Sequence, residues 1–282
     1  MRIGVVGLGQ MGLAMAGRLV DQGAEVLGFD LDAGRRAAAQ ARGVTLAEAV
    51  EGTAAPVVLL SLPQDRAVES VLLGLLPALP KGAVIADTST LDPQAARRFA
   101  GAAADWGVDY LDAPVSGGPA GAAAGTLAMM LGGEAAAIER ARPALALVAA
   151  KLVHVGAAGA GQVAKLVNNL MVATHLAVAG EALRLGALAG VAPEALLPVV
   201  NAASGRSAAT EVNFPRWILS GGFDSGFSAG LMRKDVRLAQ ALAVDVGAQL
   251  PLCEAAVARW EASAVDDAAD FNHVPAAILG GS

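Results

Sequence analysis

Short apolar runs recur along the first half of the chain, and longer segments with helical spacing separate them. The runs are rich in β-branched and aliphatic residues and contain few polar positions. Runs of this kind are typical of strands buried on both faces of a parallel sheet. They predict strands over residues 3–6, 25–30, 56–62, 83–89, 108–115, 126–133 and 151–155, with a helix over residues 134–148.

The pattern changes near residue 162, after which strand-like runs stop. Helical spacing predicts helices over residues 162–189, 193–202, 231–246 and 251–263, with glycines between them. Residues 267–282 carry no clear pattern. The sequence therefore predicts an α/β protein, with a doubly wound parallel sheet in residues 1–161 and an all-helical domain in residues 162–282.

Length and composition limit the classes of protein that fit. A chain of 282 residues exceeds the usual size of one domain, which agrees with two. The net charge of −6 and the lack of a basic run argue against a nucleic-acid partner. Cys253 is the single cysteine, and His154, His175 and His273 are scattered, so neither a disulfide nor a metal site is expected.

The longest apolar segment, residues 166–191, is not expected to span a membrane. It contains two asparagines together with His175, Glu181 and Arg184. The chain also enters its first strand at once, without the basic leader of a signal peptide. We expect a cytoplasmic protein without a membrane partner.

Residues 7–12 have the spacing GxGxxG between the first predicted strand and a helix. In that context the first glycine permits a tight turn, the second lets a pyrophosphate approach the backbone, and the third lets the helix pack closely on the strand. The N–H groups at the helix start then face the phosphates. A glycine turn that binds no nucleotide is the disfavoured alternative. The sequence predicts a Rossmann fold in which the cofactor contacts Gly7, Leu8, Gly9, Gln10, Met11 and Gly12.

Asp30 ends the second predicted strand, 18 positions after Gly12. A carboxylate about 20 residues after the glycines binds the ribose hydroxyls of the adenosine. It repels the 2′-phosphate of NADP, so NAD is predicted and NADP is the less favoured cofactor. Arg35 and Arg36 lie nearby and keep NADP open.

The carboxyl ends of the later strands carry Leu62-Pro63, the polar residues 88–90, and residues 116–118, which begin with a serine. Ligands of doubly wound sheets bind at the carboxyl ends of the strands, so we expect these segments to face one crevice. Ser116, Gly117 and Gly118 form either a simple turn or a concavity of N–H groups that holds a carboxylate. Asp92 before a proline is expected to cap a helix.

Residues 156–170 join a glycine-rich segment to a strongly helical one. With a helix start near residue 161, Lys165 and Asn169 are four residues apart and project from one face, with Asn168 beside them. Lys165 then either extends into solvent, as most helical lysines do, or lies buried for a chemical reason. This segment alone favours the first interpretation.

Several segments, taken in order, resemble the β-hydroxyacid dehydrogenase family. They are residues 7–19 (GLGQMGLAMAGRL), 87–93 (DTSTLDP), 112–133 (DAPVSGGPAGAAAGTLAMMLGG), 159–169 (GAGQVAKLVNN) and 231–240 (LMRKDVRLAQ). The resemblance covers most of the chain. It implies an N-terminal Rossmann domain, a helical domain that begins with a long helix, and assembly into homodimers or homotetramers.

The resemblance also implies residue roles. Lys165 looks like the family's catalytic lysine and Asn169 like its substrate-orienting amide, while residues 116–118 look like the segment that holds the substrate carboxylate. The implied cofactor contacts outside the glycine turn are Leu62, Pro63, Thr90 and Lys234. Without the resemblance, we interpret the charged residues at positions 233–237 as the solvent-exposed start of a helix.

The implied reaction is reversible hydride transfer between the nicotinamide and the alcohol carbon of a small hydroxy acid. 3-Hydroxyisobutyrate is the first choice, and tartronate semialdehyde, threonate and short ω-aldehyde acids stay open. Arg18 stands where the family commonly has asparagine, and Ala67 where some members have an asparagine that contacts the cofactor. Two other classes are an imine reductase, which usually lacks the lysine, and a dinucleotide-binding module without catalysis.

Overall fold

A computed structural model describes residues 1–281 of the chain. The chain separates into two compact units, Met1–Lys165 and a second that begins at Leu166. The predicted domain boundary after residue 161 and this structural boundary both fall within one long helix, Ala160–Leu188.

The first unit is built on a nine-stranded sheet. Its strands are β1 (Arg2–Val6), β2 (Glu25–Phe29), β3 (Thr45–Leu46), β4 (Val57–Leu60), β5 (Val84–Asp87), β6 (Asp109–Asp112), β7 (Val115–Ser116), β8 (Leu127–Gly132) and β9 (Ala149–Gly156). The order is β3-β2-β1-β4-β5-β6-β8-β7, and β9 pairs with β8. The first six strands are parallel and have the order of the Rossmann fold, which confirms the predicted sheet.

Six helices cover this sheet. They are α1 (Gln10–Asp21), α2 (Ala33–Ala41), α3 (Asp65–Leu75), α4 (Pro93–Ala104), α5 (Gly118–Ala124) and α6 (Ala135–Leu145). Short 3₁₀ turns occupy Val50–Thr53 and Leu76–Ala78. Successive residues of β4 enter two different apolar clusters, Val57 and Leu59 in one and Val58 and Leu60 in the other. Helices therefore bury both faces, as the continuous apolar runs predict.

One predicted strand is interrupted. The run over residues 108–115 divides into β6 and β7 at Ala113 and Pro114. Proline has no N–H group to donate to a strand ladder, so it separates the two strands. β6 and β7 both pair with β8 in antiparallel fashion, an arrangement that apolar periodicity does not reveal.

The second unit is helical. Its elements are α7 (Ala160–Leu188), which begins in the first unit, α8 (Pro193–Ala202), a π-helix (Ala209–Ile218), α9 (Ala229–Asp245), α10 (Pro251–Glu261) and α11 (His273–Gly280). From residue 166 to 281 the only strand-like pairing is one bridge between Ser228 and Asp270. The bounds predicted for α8 are confirmed. The π-helix and α11 are absent from the prediction. Pro215 interrupts the helical period of the π-helix, and α11 is short and almost wholly apolar, with no capping hydrogen bond from the side chain of its N-cap residue, Asn272.

Trp260 lies at the centre of the second unit's core. It is fully buried, and its indole Nε1 donates to the carbonyl oxygen of Ala173, 2.9 Å away. Phe214 and Val274 belong to the same apolar cluster, so the π-helix and α11 both contribute to this core. A buried tryptophan with its N–H group satisfied stabilises such a core without a polar penalty.

Among residues 1–281, α7 alone is long and apolar enough to cross a membrane by length and composition. Core helices of soluble proteins meet the same criterion. Here α7 buries Ala173 and Leu176 in the core of the second unit and carries Glu181 and Arg184.

Candidate active site

The glycine turn between β1 and α1 has the shape that a pyrophosphate requires. A Cβ atom on Gly7, whose φ is +88°, would overlap the carbonyl oxygen of Ser61, and one on Gly12 would overlap that of Gly7. A Cβ on Gly9 would meet only the Arg35 guanidinium, 3.9 Å away. The first and third glycines therefore make the turn, and the second leaves space beside it. Since no side chain caps the start of α1, its backbone N–H groups can bind phosphate oxygens.

Asp30 lies directly after β2 and beside the glycine turn. Its carboxylate is 8% exposed, and its oxygens accept hydrogen bonds from the backbone N–H groups of Leu8 at 2.7 Å and Asp32 at 2.8 Å. A carboxylate has lone pairs beyond these two, so ribose hydroxyls can still donate to it. The Arg35 guanidinium is 3.6 Å from Oδ2 and 57% exposed. The turn, the helix start and the carboxylate together fit a dinucleotide.

The loops after β4 and β5 are bonded to each other. The backbone N–H of Leu62 donates to the Ser89 hydroxyl at 2.9 Å, and the backbone N–H of Ser89 donates to the Asp87 carboxylate at 2.9 Å. Pro63 and Thr90 follow in the same two loops. Three predicted cofactor contacts therefore lie at the carboxyl ends of adjacent parallel strands. The predicted helix cap is confirmed, because Asp92 accepts a hydrogen bond from the N–H of Gln94.

Residues 116–118 connect β7 to α5. Gly117 has φ +127° and Gly118 has φ +64°, conformations that side chains rarely adopt. Ser116 pairs with Ala128 of β8. The segment is a turn that only glycines form without strain, and its binding of a substrate carboxylate remains a prediction.

Asp112 holds the start of α7. It ends β6, is fully buried, and accepts hydrogen bonds from the N–H groups of Gly159 at 2.7 Å and Gln162 at 2.9 Å. Burial raises the pKa of the Asp112 carboxyl above its ordinary range, and these backbone hydrogen bonds oppose part of that rise. The turn of α7 that carries Lys165 is therefore anchored at the carboxyl edge of the sheet.

Lys165 is 8% exposed, so its side chain does not extend into solvent. Asn169, on the same face of α7, is 4% exposed. The interpretation of Lys165 as an ordinary surface lysine is therefore wrong.

In the second unit, Asn169 belongs to a buried polar cluster. Its Nδ2 donates to the Asp235 carboxylate at 2.6 Å, and its Oδ1 accepts from Asn168 at 3.0 Å. The Lys234 ammonium is 3.3 Å from the other oxygen of Asp235, which is 2% exposed. The solvated interpretation of residues 233–237 is wrong for Asp235 and for Arg233, which are both buried. Sequence reasoning missed Asp235 because it lies 66 residues from Asn169.

Two other sequence features have hydrogen bonds within their own unit. In residues 201–210, the Asn201 amide donates to the Thr210 carbonyl oxygen at 3.1 Å. Arg18 donates to the carbonyl oxygen of Leu147 within the first unit. Among residues 1–281, no group of three or more His, Cys, Asp or Glu side chains is arranged to hold a metal.

Comparison with known proteins identifies the family. Residues 2–156 match the family described as the NAD binding domain of 6-phosphogluconate dehydrogenase. Residues 159–277 match the family described as the NAD-binding domain of NADP-dependent 3-hydroxyisobutyrate dehydrogenase. The chain is 39% identical to 2-(hydroxymethyl)glutarate dehydrogenase of Eubacterium barkeri, over 92% of this chain and 88% of that protein.

The chain belongs to the β-hydroxyacid dehydrogenase family. It is also 39% identical to NAD-dependent L-serine dehydrogenase of Pseudomonas aeruginosa, over 89% of this chain and 88% of the relative. The solved structure of 3-hydroxyisobutyrate dehydrogenase from Mycobacterium tuberculosis with L-serine superposes with a TM-score of 0.91 at 37% identity, covering 98% of both chains.

Family membership confirms several predictions. This β-hydroxyacid dehydrogenase has a Rossmann domain followed by a helical domain, uses NAD, and acts on CH–OH groups. The alternative of a non-catalytic dinucleotide-binding module is therefore wrong. The coarse substrate class, a hydroxy acid, agrees with the relatives.

Proposed function

We propose that this enzyme reversibly oxidises small acids of the form HOCH₂–CHR–COO⁻ to semialdehydes, with 3-hydroxyisobutyrate as the preferred substrate. The names of the three relatives support the common skeleton. In L-serine R is an ammonium group, in 2-(hydroxymethyl)glutarate it is a carboxyethyl group, and in 3-hydroxyisobutyrate it is a methyl group. The resemblance in sequence favours the methyl group. Tartronate semialdehyde, threonate and short ω-aldehyde acids are the alternatives.

The observation that carries the proposal is the buried side chain of Lys165 on a helix start anchored by Asp112. Burial disfavours the charged form of an amine, and the neutral form can accept a proton. Lys165 would remove the proton from the alcohol during oxidation and return it to the carbonyl oxygen during reduction. NAD, when bound, supplies the hydride acceptor at its nicotinamide.

Two other groups would orient the substrate. The N–H groups of Ser116, Gly117 and Gly118 would hold the carboxylate, and this contact would distinguish acids from simple alcohols. Asn169 would donate a hydrogen bond to the reacting oxygen. The orientation of the Asn169 amide is supported by Asp235. The Asp235 carboxylate accepts a hydrogen bond from Asn169 Nδ2, so the amide nitrogen is the atom that faces Asp235.

We also propose how the chain binds its cofactor. The contacts would be Gly7, Leu8, Gly9, Gln10, Met11, Gly12, Asp30, Leu62, Pro63, Thr90 and Lys234. The shape of the glycine turn and the acceptor capacity of Asp30 support the first seven. Resemblance to the family supports the remaining four.

We further propose a cytoplasmic homodimer or homotetramer, with residues 1–161 as the NAD-binding domain and residues 162–282 as the substrate and oligomerisation domain. An apolar stripe on α7 supports self-association, since Val167, Met171, Val178 and Leu185 are all more than two-fifths exposed. A large exposed apolar face is typical of a protein–protein contact. Sedimentation equilibrium would measure the assembly.

A kinetic panel tests the substrate. We expect kcat/KM to be highest for 3-hydroxyisobutyrate, lower for L-serine, 2-(hydroxymethyl)glutarate and threonate, and higher with NAD than with NADP. Isobutanol, which lacks the carboxylate, should react about 10⁴-fold more slowly, because the polar groups that bind the carboxylate would be left unpaired. Turnover of cyclic imines without turnover of any hydroxy acid would instead favour an imine reductase.

A further inference from the structure

We propose that Gln162 is a positioning residue, whose side-chain amide fixes the Lys165 turn of α7 to the Thr90 loop. The inference rests on the proposed roles of Lys165 in proton transfer and Thr90 in cofactor contact. Gln162 itself is not proposed to touch the substrate or the reacting atoms.

Gln162 lies in the first turn of α7 and is fully buried. Its Oε1 accepts from the backbone N–H of Leu91 at 2.9 Å, and its Nε2 donates to the carbonyl oxygen of Ser89 at 2.9 Å. These two backbone groups lie on either side of Thr90. One amide therefore holds both flanks of the residue proposed to contact the cofactor.

The same residue is fixed from its own backbone. Its N–H donates to the Asp112 carboxylate, so helix and side chain are anchored independently. Ser89 extends the connection, because its hydroxyl accepts from the N–H of Leu62, the predicted contact in the neighbouring loop. Lys165 follows three residues later, about one helical turn. Gln162 thus connects the proton-transfer turn to two cofactor loops.

Among unbranched side chains of this length, an amide suits this role at neutral pH. Leu91 supplies a donor and Ser89 an acceptor, so the side chain must accept and donate at the same time. A neutral amide does both, whereas an ionised carboxylate accepts only and a thioether forms at most weak hydrogen bonds. A misplacement of about 1 Å can reduce turnover about 10²-fold, so loss of the amide should affect catalysis.

Gln162→Met and Gln162→Glu test the inference. We expect Gln162→Met to lower kcat about 10–100-fold, with a smaller change in KM and a weaker NADH affinity in a fluorescence titration. Thr53→Val is the matched control, because it removes a buried side-chain hydrogen bond to the Val50 carbonyl oxygen from a 3₁₀ turn. It should lower thermal stability and leave kcat unchanged.

Gln162→Glu gives the sharper result. A protonated carboxylic acid both accepts and donates, so the ratio of variant to wild-type kcat should rise as the pH falls through the pKa of the introduced carboxyl. The titratable and charged groups nearby are Asp112, which accepts from the Gln162 N–H, Asp87, which accepts from Ser89 and Tyr110, and Arg97, which lies against Gly159, together with Lys165. All are present in both proteins. The Gln162→Met ratio should stay flat over the same range.

Two results would overturn the inference. One is wild-type kcat and NADH affinity in folded Gln162→Met; the other is a Gln162→Glu ratio that does not change with pH. If Gln162→Met does not fold, the Gln162→Glu ratio decides, because both of its states occur in one protein. Lys165→Ala separates the two proposals. If Lys165→Ala keeps its activity, the proposed function fails. If Lys165→Ala loses its activity but the Gln162 variants give either of the two results above, only the inference about Gln162 fails.

Discussion

Two sets of buried polar side chains, one in each unit, are satisfied in different ways. In the first unit, Asp112 and Gln162 bond to backbone groups of loops and of a helix start. In the second unit, Asn169 and Asp235 bond to each other across 66 residues of sequence. The first arrangement fixes the backbone around the proposed cofactor site, and the second fixes one side chain against another.

The difference predicts how each set responds to substitution. A backbone N–H group remains whatever residue other than proline is substituted, so removing its buried acceptor leaves an unmet donor that a second side-chain change does not remove. A side-chain pair is different, because deleting both members removes the need for either bond. Loss of Asp112 or Gln162 should therefore not be relieved by a second substitution, whereas loss of Asn169 or Asp235 should be partly relieved by substitution of the other.

The largest stability effect is expected for Asp112→Ala. The variant loses the cap of α7 and leaves two N–H groups without their acceptor, which should lower the free energy of unfolding by about 2–4 kcal/mol. Asp92→Ala is the matched control, since it removes the partly buried cap of α4 and should cost about 1 kcal/mol. Urea unfolding measures both. If both variants lost the same free energy of unfolding, burial of the Asp112 carboxylate would add nothing to the cost of removing a helix cap.

A double-mutant cycle tests the pair in the second unit. Asn169→Ala and Asp235→Ala should each destabilise the protein, because each leaves a buried polar partner unmet. The double variant should lose less than the sum, with a coupling energy of about 0.5–3 kcal/mol. Asn169→Ala combined with Asn213→Ala is the control, because Asn213 bonds instead to Asn272. If the losses of unfolding free energy for Asn169→Ala and Asp235→Ala were additive, the side-chain pair would not differ from the side chain–backbone bonds of Asp112 and Gln162.

The smallest expected effect is the contribution of Asp87, a buried carboxyl group of the first unit, to the pH dependence of stability. Burial raises the pKa of Asp87 above its ordinary value of 3.8, although hydrogen bonds from Ser89 and Tyr110 oppose the rise. The folded state then keeps this proton after the unfolded chain has released it. Stability from this group is therefore present below the unfolded pKa and declines as the pH rises through the folded pKa.

Asp87→Asn isolates this titration. The wild-type free energy of unfolding minus that of the variant should fall as the pH rises from about 4 toward neutrality. Asp112, whose pKa is also raised by burial, is present in both proteins, so its contribution largely cancels. Urea unfolding at a series of pH values measures the difference, and a difference that grows with pH would contradict the assignment.

The same contrast explains how far the sequence predicts the structure. Apolar runs and the glycine turn specify the Rossmann sheet, since local backbone geometry determines which residues fit there. Asp30 is predicted from its distance to the glycine turn, whereas the role of Lys165 is implied only by the resemblance to the family. Gln162 and Asp235 are not predicted, because their bonds depend on folded loops and on partners remote in sequence.

The most direct test of the account is chemical rescue at Lys165. We expect Lys165→Ala to lower kcat about 10²–10⁴-fold while NADH still binds, and Lys151→Ala, an exposed lysine on β9, to change neither. Small primary amines added to Lys165→Ala should restore turnover in proportion to their concentration, and more basic amines should be more effective. Wild-type turnover in Lys165→Ala, or no response to any amine from ammonia to propylamine in a variant that still binds NADH, would contradict proton transfer by Lys165.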